Sequence, residues 1–324
     1  MTKLIEKKFK GKEHLGEITA YGGLLLCIII FSILPPLHGE NIWSATKLAT
    51  IMSDLIVLAL LAVGAVFIYS LGNMDISVGK QVGLYSTIMV VVGNQTGSLL
   101  PGIVLALVIA LVIAIINGTT GEILRIHPII PSLVMMMVLS GVSSISYNLL
   151  GSRNISLKEI DYSIFKSPWV MLIVLLIEVV MITYLFRYTK FGKIARAIGA
   201  NHTVARQSGI RVLRYKAYSY MIFSVAIVIA SVFRMGYTGS ASDSTGTGLE
   251  MNIMVALILG GMPLSGGMRS KVSCAVIGSL TYSLLNVGLP LIGIAPNMVF
   301  LIKALIFVGV VLITSRKKEG VLPR

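Results

Sequence analysis

Long apolar runs recur along this chain from Tyr21 to Thr314 and are separated by short polar connections. A helix crosses hydrocarbon about 30 Å thick with about 20 residues, because each residue advances it by about 1.5 Å. Hydrophobic residues make up 56% of the sequence and charged residues only 12%, which is more apolar than a water-soluble domain of 324 residues. The chain is therefore predicted to be an all-α polytopic membrane protein.

By this criterion we predict about ten transmembrane segments, of which the third and the eighth are short. They form one membrane domain, residues 21–314, between an N-terminal leader (1–20) and a C-terminal tail (315–324). The first run lacks the small-residue pattern of a signal-peptide cleavage site and is predicted to be retained. The predicted segments are Tyr21–Leu37, Ala49–Leu71, Val82–Val92, Leu100–Asn117, Pro128–Tyr147, Trp169–Arg187, Leu213–Met235, Leu249–Pro263, Val272–Leu289 and Pro296–Thr314.

The net charge of +14 is explained by topology. If both termini are cytoplasmic, the inner segments hold 21 of the 27 Lys and Arg residues, as the positive-inside rule requires. This distribution argues against nucleic acid as the partner. The inner segments are 1–20, 72–81, 118–127, 187–216, 264–271 and 315–324.

The longest inner segment, 187–216, carries eight basic residues and no acidic one. Within it, Val204–Ser208 is predicted to form a short helix, and Gly199, Asn201 and Gly209 supply the turn and cap residues that bound it. A solvated basic loop would also satisfy the inside rule. A short helix with a small-residue side is, however, suited to docking in a groove of a partner.

A second motif, Gly72-Asn73-Met74-Asp75-Ile76-Ser77-Val78-Gly79, joins two apolar runs. Asp75 and Ser77 are predicted to cap the next helix through its free N–H groups, and Gly79 to permit a bend. Because the next run is short, the motif also fits a broken helix beside a pathway, which Asp75 would line.

The third stretch begins at Gly248-Leu249-Glu250 and continues with Gly260-Gly261-Met262-Pro263-Leu264-Ser265-Gly266-Gly267. Small residues predict a tight turn or close helix packing. The stretch has no Gly-Lys-Ser/Thr ending, so it is not a phosphate loop. Further along, Gly278, Asn286 and Gly288-Leu289 complete the pattern.

These motifs, in this order, resemble those of the ribose-type sugar ABC transporter permeases, and the resemblance runs from Asp54 to about Leu289. It implies the type II-like importer permease fold and a non-catalytic role as the transport subunit for a monosaccharide such as ribose or a sugar-like solute. It also implies ATPase coupling by Gly199, Asn201, Ala205, Arg206 and Gly209. The pathway residues would be Asn73, Asp75, Ser77, Gly79, Glu250 and Asn286.

The resemblance further implies the partners and the location. The partners are an ATPase with two nucleotide domains, which binds ATP and Mg, an extracytoplasmic sugar-binding protein, and a second permease, identical or related. Ser132, Met135, Cys274 and Val287 depart from the family pattern, so a heterodimer with a related permease remains an alternative to a homodimer. The implied location is the bacterial cytoplasmic (inner) membrane. No cofactor is expected on this chain, because its cysteines and histidines have no metal-binding spacing.

The ionisable residues inside the predicted spans are few, and each is costly in hydrocarbon. Arg234 and Glu250, near the outer ends of successive spans, are candidates for an ion pair, with a solute contact as the alternative. Glu178 is the central carboxylate that an ion-coupled secondary transporter, the alternative function, would use. An intramembrane enzyme is disfavoured, since the sequence lacks a His-Glu-x-x-His motif and a Ser/Lys arrangement.

Overall fold

The fold was analysed in a computed structural model, which describes residues 2–37, 39–158, 160–263 and 265–314. Side chains are described except at 2–19, 296, 313 and 314. The predicted tail, 315–324, lies outside the described residues. The helices are α1 Thr2–Leu37, α2 Ala45–Ser70, α3 Val78–Thr96, α4 Leu99–Ile123, α5 Ile129–Leu149, α6 Pro168–Tyr188, α7 Lys190–Ala200, α8 His202–Gln207, α9 Val212–Thr238, α10 Leu249–Leu259, α11 Val272–Leu291 and α12 Pro296–Thr314.

Seven of the helices in the described ranges are long and apolar enough to cross a membrane, which confirms a polytopic helical protein. Most of them agree with the predicted segments to within a few residues. The crossing part of α1 is Ala20–Leu37, and the helix extends back to Thr2 through the predicted leader. The seven crossing segments are Ala20–Leu37, Ala45–Ser70, Leu99–Ile123, Ile129–Leu149, Pro168–Tyr188, Val212–Thr238 and Val272–Leu291.

The core of the molecule is α2, whose residues from Ile56 to Ser70 are all buried. A helix that is apolar on every side must be surrounded by other helices. Here α9, α11 and α6 surround it, and α9 also packs against α3 and α4. In contrast, α5 and α6 leave many large apolar side chains exposed, as expected of helices that face lipid.

The three remaining apolar helices differ from full spans in length or polarity. α3 begins four residues before the predicted Val82 and ends four after Val92, but it contains Lys80, Gln81 and several small polar residues. α10 has 11 residues, so it advances about 16 Å, roughly half the hydrocarbon thickness. The apolar part of α12, Asn297–Leu312, is also below span length.

A small cap lies on the segment 148–168. Its strand β1, Asn154–Ser156, pairs antiparallel with β2, Ser240–Ser242, which follows α9. Asn94 at the end of α3 fastens the cap, because its amide nitrogen donates to the Ser156 carbonyl and its oxygen accepts from Lys158 N–H. A 3₁₀ helix, Ser163–Lys166, then leads into α6.

Candidate functional site

The predicted short helix in the basic segment is confirmed as α8. Asn201 is its N-cap, with the side-chain oxygen accepting from Val204 N–H at 3.1 Å. At the other end Gly209 has φ +80°, the left-handed conformation that glycine adopts without steric cost. The Ile210 N–H then donates to the Ala205 carbonyl at 3.2 Å and closes the helix end. Asn201 and Gly209 thus shape α8.

The surface of α8 is formed by different residues. Ala205 is buried, whereas Thr203, Arg206 and Gln207 are exposed and Val204 is 54% exposed. An exposed valine on a six-residue helix has no structural need to be apolar. The sequence motif did not identify Thr203, Val204 and Gln207 as surface residues of α8. Thr203 and Val204 lie four and three residues before Gln207, a spacing that places the three on one side of a helix.

Gly199, which precedes α8 and is also a predicted coupling residue, is a packing residue. A Cβ at Gly199 would overlap the carbonyl oxygen of Ser70 and lie 2.8 Å from the Gly267 nitrogen. The Gly267 N–H donates to the same Ser70 carbonyl at 2.8 Å. The end of α2, the end of α7 and the loop at Gly266-Gly267 therefore meet at backbone contact. Three sequence motifs thus converge on one point.

A second contact joins α8 to the transmembrane helices. Glu122, at the end of α4, accepts from Lys216 Nζ of α9 at 2.8 Å, and the same oxygen lies 3.1 Å from His202 Nε2 at the start of α8. Lys216 is buried, which strengthens the ion pair relative to an exposed one. Displacement of α8 would therefore act on α4 and α9.

The motif after α2 forms a buried connection, residues 71–77, that we term the Asp75 turn. One oxygen of Asp75 accepts from the N–H and hydroxyl of Ser77 at 2.8 and 2.6 Å. The other accepts from the side-chain amides of Gln81 and Asn117 at 3.1 and 3.2 Å. Burial raises the pKa of this carboxyl, which lies outside the spanning helices, while these donors oppose the shift.

The predicted capping of the next helix is wrong. Ser77 occupies the N-cap of α3, but its side chain accepts nothing from the helix N–H groups. Its hydroxyl instead donates to Asp75 and accepts from Gln81 and Asn117. Asp75 accepts from Ser77, two residues on, as in an Asx turn. The local motif thus forms a turn that is held by α4.

Gly79 is helical, so the predicted bend there is also wrong. The residue is small because a Cβ would overlap the Glu250 carboxylate and the Gly246 carbonyl. One turn later, a Cβ at Gly83 would lie 2.7 Å from the Thr245 carbonyl oxygen. The glycine side of α3 therefore packs directly on the segment that leads into α10.

Glu250 consequently lies beside α3, and the candidate ion pair between Arg234 and Glu250 is absent from the described part of the chain. Close packing is confirmed where the third motif predicted it. A Cβ at Gly260 would overlap the Cys274 carbonyl, and one at Gly278 would overlap the Ala256 carbonyl. α10 and α11 are therefore in backbone contact.

Asn286 belongs to another polar group, which we term the Lys303 cluster: Asp54, Asn252, Tyr282, Asn286 and Lys303. Tyr282 and Lys303 are buried, and the other three are half-buried. Lys303 Nζ donates to Tyr282 Oη and Asn286 Oδ1, both at 2.8 Å. The Asn286 amide donates to Asp54 at 3.3 Å, and Tyr282 donates to Asn252. This cluster joins α2, α10, α11 and α12, and only Asn286 was predicted to have a functional role.

Glu178 of α6 is buried and its two carboxyl oxygens have no hydrogen-bond partner among the described residues. It faces Gly64 of α2, where a Cβ would lie 3.6 Å from one of those oxygens. No cluster of His, Cys, Asp and Glu with metal-binding geometry occurs in the described ranges. Cys27 and Cys274 are both buried, and neither is in a disulfide.

The sequence of the chain is similar to those of known transport permeases. The family model described as branched-chain amino acid transport system / permease component matches residues 47–312. The chain is 28% identical to the ribose import permease protein RbsC of Escherichia coli K12 (96% of this chain, 98% of the relative) and 30% identical to that of Bacillus subtilis (91% of each). It is 27% identical to the galactose/methyl galactoside import permease protein MglC of Escherichia coli K12, over 98% of each chain.

No solved structure matches the chain. The family match covers every helix from α3 to α11 and most of α2 and α12. It therefore includes α8, the Asp75 turn and the Lys303 cluster. This chain belongs to the family of transport-system permease components.

Proposed function

We propose that this chain is the membrane-spanning permease subunit of an ATP-driven, binding-protein-dependent importer for a monosaccharide such as ribose or a sugar-like solute. Relatives named as ribose and galactose import permeases align with nearly its whole length. The observation that carries the proposal is α8, a short capped helix whose base contacts two other motifs. The chain itself catalyses no reaction, and ATP with Mg binds to a partner ATPase.

In this proposal the ATPase docks on α8 and moves it. Thr203, Val204 and Gln207 provide the docking surface together with Arg206, since these side chains are exposed. Asn201, Ala205 and Gly209 hold α8 in shape, and Gly199 passes the motion to the end of α2 and to Gly267. His202 and Glu122 pass it to α4 and α9. A docked helix with these rigid contacts can transmit force because close-packed interfaces move as units.

The solute pathway in this proposal runs beside the start of α3 and the start of α10. Asn73, Asp75, Ser77 and Gly79 lie on one side of this region, Glu250 contacts Gly79, and Asn286 lies in the neighbouring cluster. The Asp75 carboxylate is occupied by four donors, so it shapes the backbone, whereas the partly exposed Glu250 is free to contact solute hydroxyl groups.

The assembly would contain two permease chains, identical or related, around a central pathway in the bacterial cytoplasmic membrane. Both termini would be cytoplasmic, with α3, α10 and α12 completing about ten membrane segments of the type II-like architecture. An extracytoplasmic binding protein would deliver the solute at the face that carries the β1–β2 cap, and an ATPase with two nucleotide domains would bind at α8.

The test compares two exposed apolar residues. Val204→Asp changes the α8 surface, and Ile164→Asp makes the same change on the cap, where the side chain is 58% exposed. We expect Val204→Asp to lower ATPase co-purification and ATP-driven ribose uptake into proteoliposomes by about tenfold, the effect of losing one interface anchor. Ile164→Asp should leave co-purification intact. Equal co-purification of the two variants would contradict the proposed docking surface.

An ion-coupled secondary transporter is not supported by the site. It requires a group of ion-coordinating side chains, and Glu178 stands among apolar neighbours and Gly64. Sugar uptake that persists without ATP and collapses with an ionophore would establish this alternative.

A further inference from the structure

A cavity of about 350 Å³ lies where the end of α4 meets α8 and the start of α9. Three arginines line it, Arg125 after α4, Arg206 in α8 and Arg211 before α9. Its remaining walls are mainly aliphatic. The cavity thus combines guanidinium groups with apolar surface: Ile123, Ile210, Val212 and Leu213.

The charge of this cavity is uncompensated. None of the three arginines has a salt bridge or a side-chain hydrogen bond within the described ranges, and all three are exposed. Glu122, the acidic residue in the wall, is occupied by Lys216 and His202. Arginine presents a planar fork of donors that fits the oxygens of a phosphate. The free guanidinium groups therefore favour an anionic, phosphate-like ligand.

The backbone at Arg125 is unusual. Its φ is +55°, and no other residue except glycine has positive φ in the described part of the chain. The Ile126 N–H donates to the Gly121 carbonyl at 3.0 Å, so Arg125 occupies the helix-ending position where glycine is normally found. An arginine that tolerates this conformation is consistent with a requirement for its side chain beside the cavity.

The cavity opens beside the lipid-facing surface of α4. Ile123 and Leu124, immediately before Arg125, are 64% and 60% exposed, and Ile116 two turns earlier is also exposed. Leu213 continues this apolar surface onto α9. A phosphate among the arginines would thus lie next to exposed apolar side chains at the end of a spanning helix. That combination fits a phospholipid better than an acidic protein segment, because the acyl chains of a lipid would also cover the apolar side chains.

We propose that the cavity binds the phosphate headgroup of an anionic phospholipid whose acyl chains lie along α4. Basic pockets between helix ends at the membrane surface are suited to such headgroups. Because Arg206 belongs to α8, the bound lipid would also link the docking helix to the membrane. The lipid site itself depends only on the membrane location of α4 and does not require the proposed transport function.

The experiment measures phosphatidylglycerol retained by the purified chain in native mass spectrometry. The test variant is Arg125→Gln/Arg206→Gln/Arg211→Gln. The control, Lys190→Gln/Lys193→Gln/Arg214→Gln, removes the same charge from exposed positions outside the cavity. Each basic residue at a membrane surface is worth about fivefold in affinity for anionic lipid. We expect the test variant to bind at least about tenfold more weakly than the control.

Three results would overturn the proposal: equal lipid loss in both variants, full displacement of lipid by inorganic phosphate, and loss of ATPase co-purification with lipid binding unchanged. The second would indicate a free-anion site and the third a protein-docking site. If the triple variant fails to fold, as judged by its thermal unfolding, Arg211→Gln alone is measured. It should weaken phosphatidylglycerol binding by about fivefold, and unchanged binding would also overturn the proposal.

Discussion

The Asp75 turn and the Lys303 cluster each hold a carboxyl group among apolar helices, but by different means. Asp75 is surrounded by neutral donors from its own turn, from α3 and from α4. Asp54 is joined to Lys303 through the side chain of Asn286. One site resembles a solvation shell built from protein groups, and the other is an acid–base pair separated by an amide. The comparison predicts different sensitivities to mutation.

The largest effect is expected from Lys303→Met, which removes the buried amino group that donates to Tyr282 and Asn286. Each hydrogen bond to a charged group contributes about 1.5–3 kcal/mol, so losing both should lower the free energy of unfolding by about 3–6 kcal/mol. The double variant Asp54→Asn/Lys303→Met should recover part of this loss, because the carboxylate that Lys303 reaches through Asn286 is also removed. Thermal and denaturant unfolding in detergent would measure both, with exposed Lys158→Met as the control. A double variant no better than the single one would show that the two charges are not coupled.

An intermediate effect is expected from Asp75→Ala. Gln81 and Asn117 retain Ser77 Oγ as an acceptor, but the Ser77 N–H loses its partner, and a buried unpaired donor costs about 1–3 kcal/mol. The same unfolding measurement applies, and exposed Asp161→Ala serves as the control. If Asp75→Ala were as damaging as Lys303→Met, the view of the turn as a site satisfied by neutral donors would have to be abandoned.

Two tyrosines at the edges of these sites test the comparison by the smallest chemical change, the loss of one hydroxyl, and the smallest effect of all is expected at Tyr85. Tyr282→Phe removes a hydroxyl bound to the Lys303 amino group, and hydrogen bonds to charged groups contribute about 1.5–3 kcal/mol. Tyr85→Phe removes a hydroxyl that donates to the neutral Gln81 at 3.0 Å, worth about 0.5–1.5 kcal/mol. The two changes delete the same atom, so each controls for the other. A greater loss of unfolding free energy in Tyr85→Phe would reverse the comparison.

Local chemistry explains which features were predictable. α8 was anticipated because Asn201 and Gly209 act within a few residues of their own position, through a side-chain cap and a left-handed glycine. The predicted bend at Gly79 and helix cap at Ser77 were wrong for the opposite reason. Their environment is set by Glu250, Gly246 and Asn117, which are distant in sequence.

The candidate site shows the same division. Four of the five predicted coupling residues shape α8 or pack behind it, whereas Arg206 lies on its exposed surface. That surface also contains Val204, which no cap or glycine pattern marks. The Lys303 cluster was predicted only at Asn286, since pairing across four helices requires their relative rotation to be known.

The lengths of the apolar runs and the placement of Lys and Arg determined, from sequence alone, that this is a helical membrane protein. The order of its motifs separately showed the resemblance to sugar permeases. The membrane class could be predicted because the free energy of transfer from water to lipid is additive along each segment. Only the tertiary structure decided that Gly199, Ser70 and Gly267 meet, that Glu250 lies against Gly79, and that three arginines surround one cavity. These contacts depend on how helices approach and rotate, and a single sequence does not encode that in any local pattern.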